Sequence, residues 1–208
     1  MRHNRRIASF TLFHLLMKHS ATAAPAPGYH PLSKFQHWLM ALLWIAAWVI
    51  GIVAVHWRDA LNAHHELTIL HKALASTVIF LTLLRIVWRW THPAPALPAS
   101  MSPAMQRVAH LGHLGLYALA LVALPLSGWM WSSVADKPIM MLGLLQLPPL
   151  VAPAPEYYGL AKLVHQWLAW SVGLMVLGHA AAAIKHHVHD RDGVLESMLP
   201  ARLTRSRD

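Results

Sequence analysis

Four long apolar runs, separated by short polar or proline-rich stretches, organise this chain. At about 1.5 Å per helical residue each is long enough to cross the roughly 30 Å hydrocarbon core of a bilayer. They fall near residues 35–57, 67–90, 108–133 and 162–185. The first, FQHWLMALLWIAAWVIGIVAVHW, holds no Asp, Glu, Lys or Arg, whereas a helix with one face in water needs a polar stripe. The second carries Lys72 near its start and Arg85 and Arg89 near its end, where long side chains reach the interface while their stems stay in lipid. The third contains Pro125 within LVALPLSGW, and the missing donor and ring clash predict a bend. The pattern predicts an all-α integral membrane protein built as a four-transmembrane-helix bundle.

The connections follow from their prolines. Pro93, Pro95, Pro98 and Pro103 make residues 92–104 an extended linker. Residues 135–161 are apolar but contain Pro138, Pro148, Pro149, Pro153 and Pro155. That segment is too broken for a fifth span and is expected to cap one end of the bundle at the interface. Residues 1–28 have the outline of a signal peptide, with Arg2, Arg5 and Arg6 before IASFTLFHLLM. Cleavage there would set the first helix against the charge count below, and His14 interrupts the apolar stretch. They are read as a retained, poorly ordered cytoplasmic extension, followed by one domain over 29–200 and a basic cytoplasmic tail over 201–208.

Composition strengthens the membrane reading: 56% of the 208 residues are hydrophobic and only 12% charged, unlike a soluble domain. The formal charge of +9 resides at the ends of apolar runs rather than on a polar domain. It therefore points to anionic lipid headgroups and not to nucleic acid. Thirteen cations, among them Arg2, Lys34, Arg85, Arg107, Lys185 and Arg207, fall on one side, against Arg58, Lys72, Lys137 and Lys162 on the other. Both termini are expected in the cytoplasm, with the protein in the bacterial inner membrane.

Within the spans stand four histidines at two depths. With alternating helix directions, His37 and His179 lie near the inner face and His71 and His165 near the outer. Imidazole is costly in hydrocarbon unless something binds it, so two matched pairs point to two bound centres stacked across the membrane. His165 and His179 are fourteen residues apart, close to four turns, so both leave one helix face about 21 Å apart. The absence of cysteine excludes disulfides, thiolate ligands and covalent haem attachment, which leaves b-type haem held by histidine.

Other residues near these levels carry two readings each. Gly51, Gly173 and Gly178 either make room for a macrocycle or serve ordinary close helix packing. Arg85, fourteen residues after His71, is a partner for inner-haem propionates or an interfacial anchor. His110 and His113 share a face of the third helix, as propionate partners, proton carriers or simply satisfied polar residues. His64, His65 and His189 are expected to be exposed.

The stretches Tyr29 followed by FQHWL, LHK at the start of the second helix, AHLGHLGLYALALVALPLSGW in the third, and KLVHQWL with GHAAAAIKHH in the fourth resemble the bacterial cytochrome b561 family from about Tyr29 to Pro200. The resemblance implies two b haems with ligands corresponding to His37, His71, His165 and His179, the four that depth selects. It further implies a superoxide oxidase-like oxidoreductase, moving electrons from an outer one-electron donor, superoxide being the leading candidate, through both haems to ubiquinone at the cytoplasmic side. By similarity His186 and His187 border the quinone site, and seven residues place His186 about 10 Å beyond His179; a surface pair at a helix end is the plainer reading. Lys162 also matches a lysine of the relatives, and with Lys72 and Lys137 it would give the outer mouth a field attracting a small anion. The chain departs from the relatives in VADKPIMML and in its longer N-terminal tail.

Two other functions use similar features. A haem-bearing anchor subunit of a dehydrogenase or hydrogenase would need a large redox partner. A histidine-dependent metal transporter would normally place carboxylates along its path, and the span interiors have none, Glu66 standing at an end.

Overall fold

A computed structural model describes residues 28–200; the expectations for the N-terminal extension before Gly28 and for the tail at 201–208 lie outside the described residues. Helix α1 spans Pro31–His56 and is followed by the single turn α2, Arg58–Leu61. Pro31 suits the first helical position, where its missing N–H would be unpaired anyway, and His30 Nδ1 accepts the Leu32 N–H at 3.2 Å. Helix α3 covers Glu66–Thr91. It begins after His65, a left-handed residue with φ of 67° that supplies no side-chain cap. Asn62 caps it instead, its Oδ1 accepting from the Leu67 N–H at 3.0 Å and its Nδ2 donating to the Ala54 carbonyl at 3.0 Å and to Thr68 Oγ1 at 2.8 Å. Asn62 is only 1% exposed, and this set of bonds is what allows an amide to be buried there.

The third span starts earlier than the hydrophobic run. Ser102 Oγ accepts the Met105 N–H and Pro103 takes the first position of α4, Pro103–Gly115. A π-helical stretch, Leu116–Ala123, then leads into α5, Leu124–Val134. The irregularity expected at Pro125 takes this form: the Leu124 N–H donates to the Leu119 carbonyl, five residues back. A wider turn ahead of the proline accommodates a ring that would otherwise clash with the preceding turn.

After α5 the chain forms an antiparallel hairpin of β1, Ile139–Met141, and β2, Leu145–Leu147, with Met140 opposite Gln146. Leu142 and Gly143 both turn at positive φ, as a tight hairpin demands. This hairpin gives regular structure to the expected cap and adds to the helical bundle. Strand β1 packs on α3, while Trp129 Nε1 donates to the Pro148 carbonyl and the Leu150 N–H donates to Ser133 Oγ. A 3₁₀ turn, Pro155–Tyr157, opens the last span, then α6, Tyr158–Lys185, then a second π turn, His186–Asp190. A short α7, Val194–Met198, closes the described chain. The end of α7 is tied to α1 by Lys34 Nζ donating to the Leu199 carbonyl and Trp38 Nε1 to that of Met198.

Four helical segments are thus long and apolar enough to cross a membrane. Their outward faces are apolar and open, Leu42 being 68% and Leu174 72% exposed, a surface suited to lipid. The core lies halfway along the bundle: Met40, Trp44, Val78, Ala120, Leu124 and Val172 form one buried cluster. Trp44 and Trp48 stack at 6.2 Å, and their indole N–H groups donate to the carbonyls of Ala120 and Ala169 on two other spans. A methyl group at Gly173 would stand 2.6 Å from the Trp48 ring, so this glycine serves helix–indole packing.

Candidate functional site

Two histidine pairs face each other across the bundle, one near each end. His37 of α1 and His179 of α6 have ring centroids 6.2 Å apart, at the end where the described residues begin and finish. His71 of α3 and His165 of α6 are likewise 6.2 Å apart, at the hairpin end. Two imidazoles on opposite sides of one metal, each bonded at about 2 Å, have centroids roughly 6 Å apart.

The hydrogen bonds fix which nitrogen is free in the pair at the hairpin end. His71 Nδ1 lies 2.7 Å from the Ala47 carbonyl, an acceptor only, so that nitrogen carries the proton and Nε2 is bare. His165 Nδ1 lies 2.9 Å from Ser127 Oγ, whose single proton is committed to the Leu124 carbonyl at 2.7 Å. The hydroxyl must accept, so Nδ1 of His165 is again the donor and Nε2 is the free ligand atom. Both rings lie against glycines. A methyl group would come within 2.9 Å of His71 at Gly51 and of His165 at Gly128. Gly128 and Ser127 carried no sequence signal beyond the unremarkable LSGW. Nothing lies within 4 Å of a methyl group added at Gly178.

At the other end His113 joins the pair, its ring 5.4 Å from that of His179 and its Nδ1 directed at the Ala109 carbonyl. Arg85 donates from Nε to the Tyr117 hydroxyl at 2.7 Å and lies near His37. Its Nη1 is buried without a partner. Among the described residues three other buried side-chain atoms share that condition: Gln36 Oε1 beside His37 in the chain, Trp131 Nε1 whose ring is 5.8 Å from His165, and Glu196 Oε2. Buried polar groups are normally satisfied. Two of the four, Arg85 Nη1 and Trp131 Nε1, therefore mark the two histidine pairs as places where a further polar group belongs. The donor set, paired imidazoles without thiolate, fits a b-type haem, and Arg85 Nη1 fits a propionate.

The remaining predicted residues distribute as follows. Lys72 Nζ reaches the Pro138 carbonyl at 3.5 Å beside Lys137, while Lys162 is exposed at the start of α6. His64, His65, His110 and His189 are exposed. His186 and His187 stand past the end of α6 and meet carboxylates that the sequence reading did not single out. His186 Nδ1 is 2.7 Å from Asp192 Oδ2 and 3.1 Å from Asp190 Oδ2, and His187 Nδ1 is 2.6 Å from Glu196 Oε1.

A family model described as prokaryotic cytochrome b561 matches residues 28–201. The chain belongs to the prokaryotic cytochrome b561 family. This makes it a bacterial membrane cytochrome of the b type, concerned with electron transfer. Cytochrome b561 homolog 2 of Escherichia coli K12 is 33% identical over 171 residues, 82% of this chain and 90% of that protein. The protein named probable superoxide oxidase CybB of Yersinia pestis is 27% identical over 169 residues, 80% of this chain and 92% of its own. Cytochrome b561 homolog 1 of Escherichia coli K12 is 32% identical over 126 residues, 60% and 69% of the two chains.

Proposed function

We propose that this cytochrome b561 binds two b haems and carries electrons from a one-electron donor at its outer face, with superoxide the leading candidate, to ubiquinone on the cytoplasmic side. One observation carries the reading: two imidazole pairs with the same 6.2 Å separation stand at opposite ends of one apolar bundle. His37 with His179 would hold the inner haem and His71 with His165 the outer. Bound there, the haems supply one-electron oxidation and reduction inside the membrane.

The chain's own residues do the rest. Ala47 and Ser127 lock the tautomers of the outer pair. Arg85 offers an unpaired guanidinium nitrogen to a propionate, with His113 beside the inner pair. Lys72 and Lys137 lie together under the hairpin, and Lys162 adds a third cation to that end, a field that draws in a small anion. The relative named probable superoxide oxidase CybB supports the donor. His186 and His187 border the quinone, and both termini face the cytoplasm, in accord with the excess of cations at that end.

The test is purification in detergent, measurement of the dithionite-reduced spectrum and haem content, and then addition of superoxide with a soluble quinone. Two haems per chain and superoxide-dependent quinol formation are expected. A colourless protein, or one haem per chain, overturns the reading.

A further inference from the structure

The π turn His186–Asp190 and the bend after it gather an unusual set of charged groups. Lys185 Nζ holds Asp190 through both carboxylate oxygens at 2.9 and 2.6 Å. Arg191 and Gly193 both adopt left-handed backbone, φ 51° and 78°, and so fold Asp192 back onto the helix it has just left. Asp192 is then fixed at two points: Oδ1 accepts the Val194 N–H at 3.2 Å and Oδ2 meets His186 Nδ1 at 2.7 Å. The side chains of His186 and Asp192 are 13% and 8% exposed. A carboxylate only accepts, so Nδ1 of His186 carries a proton directed at Asp192, and Nε2 makes no hydrogen bond among the described residues.

We propose that Asp192 is a positioning residue that turns His186 so that its Nε2 hands a proton to the bound quinone, a role that rests on the quinone reading above. An imidazole oriented through one nitrogen by a buried carboxylate, with the other nitrogen free, is the general arrangement of an acid–base group. Reduction of one quinone takes two electrons, from two donor molecules each oxidised by one electron, and two protons from cytoplasmic water. Two O–H bonds form on the quinone oxygens. His186 gives its Nε2 proton to the oxygen it faces and is reprotonated from the cytoplasm, while the second oxygen takes its proton from cytoplasmic water. Asp192 and Asp190 balance the positive charge of the ring while it holds both protons. His187, Glu196, His189 and Arg191 are the other titratable or charged groups of this turn and of α7, which packs against it.

The atoms of His186, Asp190 and Asp192 also lie within 4.8 Å of one another, near enough for a divalent cation. Asp190, one of the three, is already paired through both oxygens with the Lys185 ammonium, which favours the relay.

The test uses the haem-loaded protein, with quinol formation followed in water and in D₂O. Asp192→Asn keeps an oxygen for the Val194 N–H and removes the charge. It is expected to retain its reduced-haem spectrum and quinone KM, to lose about 10²-fold in kcat, and to gain a solvent isotope effect; Asp192→Glu recovers part of the rate. Should Asp192→Asn fail to fold, His186→Gln is expected to show the same loss in kcat with an unaltered reduced-haem spectrum. Wild-type kcat in Asp192→Asn, or a loss confined to KM, overturns the role of Asp192 alone, and wild-type kcat in His186→Gln overturns the relay. A wild-type rate abolished by chelator and restored by Mn²⁺ also overturns it. Absence of quinol formation by the wild type overturns the functional reading itself.

Discussion

His71 is oriented by the backbone carbonyl of Ala47 and His165 by the hydroxyl of Ser127. Either His71→Ala or His165→Ala is expected to lower haem content from two to one per chain while much of the inner-haem spectrum remains, measured by reduced-minus-oxidised absorbance. Retention of both haems would contradict the ligand assignment. Gly128→Val tests the cradle independently. Even a methyl group there falls 2.9 Å from the His165 ring, nearer than carbon atoms approach without displacement. The same loss of outer haem is expected, with all four histidines intact. The histidines and the room at Gly51 were legible in the sequence because spacing along helices of known rise sets depth. Ser127, Gly128 and Trp131 were not. Their importance comes from packing between α5 and α6, and nothing along the chain reports which residue of one helix meets which of the next.

The helices themselves were readable almost end to end, because lipid forces every backbone polar group into internal hydrogen bonds over a long apolar run. Their starts were less so. Pro31, Ser102 with Pro103, and the 3₁₀ turn at Pro155 set true beginnings a few residues ahead of the apolar stretches. The hairpin was hidden because three-residue strands among five prolines give no alternation to detect. Asn62 was equally silent, a polar residue in a short loop that proves to cap α3. Asn62→Ala strands the Leu67 N–H and the Ala54 carbonyl, at a cost of about 1–3 kcal/mol. A lower thermal midpoint in detergent is expected, with the haem spectrum unaltered below the transition. The turn after α6 was invisible for a different reason: His186 meets Asp192 and His187 meets Glu196 because Arg191 and Gly193 reverse the chain, and backbone hand is not written in residue type.

At the scale of the whole molecule the two ends differ, one carrying the hairpin and the loop at 57–65, the other the linker at 92–102 together with Gly28 and α7. The charge asymmetry predicts which faces the cytoplasm. Because the chain has no cysteine, single replacements report topology cleanly. In intact spheroplasts an impermeant maleimide is expected to label Asp59→Cys and not Ala104→Cys, both exposed positions. The reverse pattern would invert the assignment of donor and acceptor sides.

Between the histidine pairs, Val172 is fully enclosed, seven residues from each of its neighbours His165 and His179, and the two indoles bridge three spans beside it. Among the described residues the buried cluster at that level, Met40, Trp44, Val78, Ala120, Leu124 and Val172, is apolar. A bilayer carrying this protein is therefore expected to stay electrically tight: hydrated ions meet an insulator at the waist of the bundle, and vesicles holding it are expected to keep an imposed voltage as long as empty ones do.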